Sequence, residues 1–364
     1  MSDTDKLPAE APTETGSAVL SGNSGGNTET ATAVPVVEIA GIEAIGRAVE
    51  ILRAGGLVAI PTETVYGLGV DAGNAEALHK LYRVKHRPAK HPVIVHLASA
   101  AELPRWAADV SPQAERLANA FWPGPLTLVV KRAAHVLDAV TGGQDTVALR
   151  VPDHPLTLSL LEAFRGPDDG ICTRGLAAPS ANRFGKVSPT KAEHVRADLG
   201  TDVDLILDGG ACEVGIESTI VDLSGDVPAL LRPGRITAAQ IESILGVPLA
   251  APSASSPAAP GSLPVHYAPR AKARLAKRVQ IIEELVANRG RRIAVLALEV
   301  SVPRLAASLM AVESVVPASY AHSLYENLRR LDASGADLIL IETPPDTPAW
   351  AGVLDRLRRA TRRD

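Results

Sequence analysis

The chain has 364 residues, 46% of them apolar, which allows two domains with buried cores. A formal charge of −4 and an aromatic content of 3% weigh against a surface built mainly to bind nucleic acid. With no run of about 18 apolar residues, no signal-like start, and Cys172 and Cys212 far apart, it reads as cytoplasmic, without disulfides and without membrane contact.

Residues 1–34 are rich in Ser, Thr, Gly, Asn, Ala and Pro, show no sustained period, and read as a disordered tail. From Val36 the pattern becomes regular. A strand at 36–39 precedes a helix carrying Ile42, Ile45, Ala48, Val49 and Leu52 at helical spacing, stopped by Gly55-Gly56. A strand at 57–60 follows, then a helix at 74–84 capped by Asn74. Next come a strand at 93–97, a helix at 111–121 with Ser111 as cap and Pro112 in its first turn, and strands at 126–130 and 147–151. A helix at 155–164, a strand at 176–179, a helix at 190–199 and a strand at 205–207 continue the alternation. A hairpin pairing 218–223 with 229–232 and a helix at 238–245 close the unit. The expected fold is an α/β domain on one mixed sheet, spanning 35–247.

Residues 246–269 break this rhythm with Pro, Ala, Ser and Gly, so 248–270 reads as a linker. A smaller Rossmann-like domain is expected over 271–364. Its helices fall at 279–288, 304–310, 322–333 and 350–359, and its strands at 293–298, 314–316 and 338–342. No glycine fingerprint follows its first strand, which argues against a dinucleotide there.

Three loop clusters carry the chemistry. Lys85-His86-Arg87 ends a helix that Pro88 forces to stop, which suits phosphate binding by a point charge and a planar fork, or simple compensation of the helix dipole. Pro179-Ser180-Ala181-Asn182 follows a strand in small residues, either a tight turn or a place where a ligand meets the backbone. Thr62-Glu63-Thr64 follows a buried strand. Arg150 sits in an otherwise apolar strand and requires either an acid or a substrate carboxylate. Ser188 reads as a helix cap or a ligand contact. The arginines at 356, 358, 359, 362 and 363 read as a solvated helix end or as an RNA-contacting tail. The chain contains no Walker A, HExxH, GxSxG or zinc-type spacing.

A Lys and an Arg separated by one residue, then Ser-x-Asn downstream, after the 61–68 segment, resemble the YrdC-like threonylcarbamoyl-AMP synthases in their long, two-domain form. The resemblance implies a YrdC-like twisted mixed sheet joined by a linker to a smaller Rossmann-like domain. It implies that L-threonine, bicarbonate and ATP become threonylcarbamoyl-AMP and pyrophosphate, and that a downstream transferase uses the product beside the tRNA anticodon. The implied catalytic residues are Lys85, Arg87, Ser180 and Asn182. ATP contacts carry over to Arg87, His91, Thr146, Ala178, Ser180, Ser188, Arg232 and Tyr267, and threonine contacts to Thr64, His96, Arg150 and Ser218. Mg²⁺ would arrive with ATP rather than at a protein metal site. His266-Tyr267-Ala268-Pro269 matches the segment that folds over the site, whereas 262–265 and 166–174 depart from the family pattern. The alternative is an RNA-binding or ribosome-assembly factor. A hydrogenase-maturation carbamoyl transferase, which embeds a similar domain, is disfavoured by the missing zinc-finger cysteines.

Overall fold

Apolar runs of three to six residues, separated by capped helices, assemble into one large mixed sheet and one small parallel sheet. The computed structural model describes residues 36–39, 41–166, 174–261, 263, 265–298 and 309–362. The expected tail, the 167–173 part of the unusual loop, with Cys172, and 304–308 of the helix expected at 304–310 lie outside the described residues. Among the described residues the large sheet contains β1 (Val36–Ile39), β2 (Val58–Ile60), β3 (Gly67–Asp71), β4 (Ile94–His96) and β5 (Leu126–Lys131). It continues with β6 (Thr146–Arg150), β7 (Leu176–Ala177), β8 (Leu205–Asp208), β9 (Thr219–Asp222) and β10 (Ala229–Arg232). Their order is β1-β8-β2-β3-β7-β4-β6-β5-β9-β10.

The pairing of β4 parallel to β6 and antiparallel to β7 positions the site. It sets His96 opposite Arg150 and sends the chain leaving β7 past Ile94. The flanking helices begin where their caps allow. Asn74 accepts from the Ala77 N–H (3.0 Å) and Ser111 from the Ala114 N–H (3.2 Å). One face of the sheet packs on Leu78, Leu81, Leu117 and Trp106, the other on helices Ile42–Arg53 and Pro155–Arg165 through Leu52, Leu160 and Phe164. Each such side chain, fully buried, contributes about 1.5–3 kcal/mol.

The second sheet holds β11 (Lys272–Ala276), β12 (Ile293–Leu298), β13 (Leu309–Glu313) and β14 (Leu338–Glu342), all parallel in the order β11-β14-β12-β13. Leu309 and Met310 therefore extend, where a helix was expected. The strand expected at 314–316 is instead a turn in which Ser314 Oγ accepts from the Val316 N–H (3.0 Å) before helix Pro317–Ala333. That helix and Ala351–Thr361 face the first domain. Leu324, Leu328 and Leu357 share one core with Val65, Val187, Ile216 and Tyr267. Among the described residues no helix is long and apolar enough to cross a membrane.

Candidate active site

The segment after β2 is held by its own hydroxyls. Thr62 Oγ1 accepts from the N–H groups of Thr64 and Val65 (both 3.2 Å) and lies 2.8 Å from Thr64 Oγ1. Backbone bonds from Leu68 to Pro179 (2.7 Å) and from Ala181 to Tyr66 (2.8 Å) then fasten it to the loop after β7. Gly67 fits closely there: a Cβ would lie 3.2 Å from that of Ala178, so one of the two would have to give. Helix Ala75–Lys85 ends at His86 in the left-handed region (φ 52°), with the Arg87 N–H bonded back to Tyr82 (2.9 Å), so Arg87 turns inward.

These loops, the ends of β4 and β6, the start of β9 and the linker enclose a cavity of about 50 Å³. Nine candidates named from the sequence line it: Thr64, Arg87, His96, Arg150, Ala178, Ser180, Ser218, Arg232 and Tyr267. Arg150 donates to Glu63, to Thr64 Oγ1 (2.9 Å) and to the Gly124 carbonyl (3.1 Å), so an acid does satisfy it. Three of its five N–H donors are used. Ser218 Oγ lies 2.7 Å from Thr127 Oγ1, and Arg232 donates to both the Ser218 carbonyl (2.9 Å) and hydroxyl (3.1 Å). Burial, helped by the Arg150 charge, lowers the His96 pKa to about 3, so its ring is neutral at pH 7. Burial pulls Arg87 down to about 10.

Five candidates do not line this cavity. Lys85 is buried and donates to the carbonyls of Ser180 and Asn182, so it braces the loop from behind. Burial and Arg87 bring its pKa well below the usual lysine value. Asn182 also stands behind the wall, donating to Arg183 (2.7 Å) and Lys186 (2.9 Å) carbonyls. His91 packs on Phe184 at 5.5 Å, whose ring also carries the Arg87 guanidinium (5.3 Å). Ser188 caps no helix: the helix starts at Ala192, and the hydroxyl donates to Glu217 (2.6 Å). Thr146 opens β6, four residues from Arg150 and so about 13 Å away. There it lines a separate surface hollow with Lys131 and Asp145.

The sequence reading gave no role to Glu217 and did not foresee its pairing with Arg356 and Tyr325. Burial would raise this carboxyl, but Arg356 and Arg232 outweigh it and hold the pKa at about 2. Arg356, read as a solvated or RNA-facing cation, is 0% exposed and paired with Glu217 (2.8 Å), while Arg359 bonds the linker at the Leu263 carbonyl. His266 and Gly261 also line the cavity. Buried polar atoms without partners gather here too, at Glu63 Oε2, Arg87 Nε, His96 Nδ1, Asn182 Oδ1 and Tyr267 Oη.

Comparison with known proteins gives the family. Residues 50–234 match the Sua5–YciO–YrdC family model, described as telomere recombination, and 236–361 match the threonylcarbamoyl-AMP synthase C-terminal domain. A Bacillus subtilis threonylcarbamoyl-AMP synthase is 39% identical over 333 residues, covering 87% of this chain and 92% of that protein. The chain belongs to the threonylcarbamoyl-AMP synthase family. A Pyrococcus abyssi member is 39% identical over 323 residues, with 85% and 92% covered. Among solved family structures, P. abyssi Sua5 complexed with L-threonine superposes with a TM-score of 0.81 at 36% identity, covering 90% of this chain and 98% of that one. The mixed sheet with a second, parallel sheet is thus the fold expected from the sequence.

Proposed function

We propose that this protein is an L-threonylcarbamoyladenylate synthase, with the chemistry in residues 35–247, a lid in 248–270, and residues 271–364 forming the second domain. The observation that carries this reading is a single cavity, in a chain of this family, lined by three arginines (Arg87, Arg150, Arg232) and five hydroxyl-bearing residues (Thr62, Thr64, Ser180, Ser218, Tyr267).

L-threonine would lie near His96 and Arg150, whose two remaining N–H donors suit a carboxylate. Neutral His96, with Nδ1 unpartnered, accepts a hydrogen bond from the substrate amine or hydroxyl rather than holding a proton. The threonine amine adds to CO₂ drawn from bicarbonate and loses a proton, giving a carbamate. A carbamate oxygen then attacks the α-phosphorus of ATP, and the bond to the bridging oxygen of pyrophosphate breaks. Arg87 and Arg232 offset the phosphate charge in a dry, preorganised setting, with Lys85 and Asn182 fixing the Ser180 loop. Mg²⁺ enters with ATP. There ATP phosphate oxygens would hold it in the main.

The cavity volume of about 50 Å³ is far below the roughly 300–1,000 Å³ of small-molecule sites, so Pro260, Gly261, His266 and Tyr267 withdraw to admit ATP and can then close again. The adenylate would pass to a transferase acting on tRNA in the cytoplasm. Purified protein supplied with Mg-ATP, threonine and bicarbonate should release pyrophosphate, and omission of any one should stop it. Serine, lacking one methyl, should be disfavoured by about 1–3 kcal/mol. Equal turnover with many amino acids would refute the assignment.

A further inference from the structure

Arg356 stands 139 residues from Glu217 in sequence, on helix Ala351–Thr361 of the second domain, yet its guanidinium is completely buried against the site. Its donors spread in three directions. Nε bonds Glu217 Oε2 (2.8 Å), Nη2 bonds the Glu217 carbonyl (3.0 Å), and Nη1 bonds the Pro233 carbonyl (2.7 Å) and Asp355 (2.9 Å). The same group lies 5.6 Å from the centroid of the Tyr267 ring. Apart from Asp355, each contact is at or beside a group on the cavity: Glu217 precedes Ser218, Pro233 follows Arg232, and Tyr267 is part of the lid.

The second domain also grips Glu217 through Tyr325 Oη (2.9 Å), and Arg329 bonds the Val187 and Ser188 carbonyls while pairing with Asp198 (3.0 Å). The Glu217 carboxylate is therefore satisfied by Ser188 from the first domain and by Tyr325 and Arg356 from the second. A buried carboxylate with this many fixed donors has little freedom to shift.

We infer that Arg356 is a positioning residue for the reaction proposed above, on which this inference rests. From the second domain it sets the Glu217–Ser218 segment, the turn after Arg232 and the closed position of Tyr267, so the C-terminal domain completes the catalytic site. A planar fork is required, because a lysine could neutralise Glu217 but could not also hold two carbonyls and lie over a ring.

The full-length protein carrying Arg356→Lys separates this role from a purely structural one. The ammonium still offsets the Glu217 charge, so the melting temperature should fall only by what two unpaired carbonyls cost, leaving the protein folded at the assay temperature. Threonine- and bicarbonate-dependent kcat/KM should fall by about 100-fold, the loss expected when a reacting group is misplaced by about 1 Å. Protease cleavage within 260–269 should no longer slow when Mg-ATP and threonine are added. Wild-type kcat/KM with ligand-dependent protection would overturn the inference. So would a loss of activity explained by unfolding at the assay temperature, which would make Arg356 structural only. If wild type itself makes no product, the reading of function fails, and the protease pattern of the variant still decides the positioning role.

Discussion

Gly261→Ala tests whether the lid must close as drawn. Gly261 has φ +77°, a conformation costing an L-residue about 1–2 kcal/mol. An added Cβ would stand 2.2 Å from Tyr267 Oη and 3.2 Å from Arg232 Nη1. Tyr267 cannot swing aside easily, because its ring is 1% exposed, lies 5.8 Å from that of Tyr325, and is carried by a backbone itself at φ 61°. Backbone strain and clash together should raise the closed state by at least about 2 kcal/mol, close to a 30-fold loss of its population. kcat/KM for pyrophosphate release should fall by a similar factor, and cleavage within 260–269 should persist in the presence of both substrates. The melting temperature should fall no further than in the Gly246→Ala control, since opening of the lid relieves the clash. Gly246→Ala is the control: φ is +74° with nothing within 4 Å, so it should lower stability by about 1 kcal/mol and leave kcat/KM unchanged. Equal kcat/KM and equal protease patterns for Gly261→Ala and wild type would refute the reasoning.

Further expectations concern buried charge and pH. Burial holds the His266 pKa near 3 despite the nearby Glu217, against an ordinary value of 6.5. The unfolded chain therefore binds the extra proton first, and stability, complete above pH 6.5, falls as pH drops toward 3. In urea titrations between pH 6 and 4, His266→Phe should remove up to about 1.4 kcal/mol per pH unit from that slope, and an unchanged slope would contradict the burial argument. Arg150→Ala leaves Glu63 buried and unpaired, and should cost about 3–5 kcal/mol in urea unfolding. Adding Glu63→Gln should recover most of that stability without restoring threonine binding by calorimetry. Recovery of both would remove Arg150 from the threonine subsite.

The strands and helices that bear the site were legible because their signals are local. Asn74 and Ser111 cap where the sequence placed them, and the apolar runs of β2, β5 and β6 need no tertiary information. β3 was not legible: Gly-Leu-Gly-Val-Asp reads as a loop, and its glycines make sense only beside Ala178 and Val58 in the folded sheet. β11 was missed because Lys272 and Arg274 alternate with Ala273 and Leu275 on an edge strand whose charges face outward. The residues lining the cavity came from motif order, but their division into wall and support did not. Lys85 and Arg87 are neighbours in sequence, and only the left-handed turn at His86 sends one behind the Ser180 loop and the other into the cavity. Arg356 was hidden for a different reason. An arginine among arginines at a helix end looks solvated until Glu217, from the other domain, is seen against it.

The most direct test of the central claim follows the carbon. The protein is incubated with Mg-ATP, L-threonine and ¹³C-bicarbonate, and the products are read by mass spectrometry. The account predicts an AMP adduct of threonine carrying the labelled carbon, formed in step with pyrophosphate and absent without threonine. Pyrophosphate release with no label in any adduct, or an adenylate of threonine that lacks the added carbon, would contradict it.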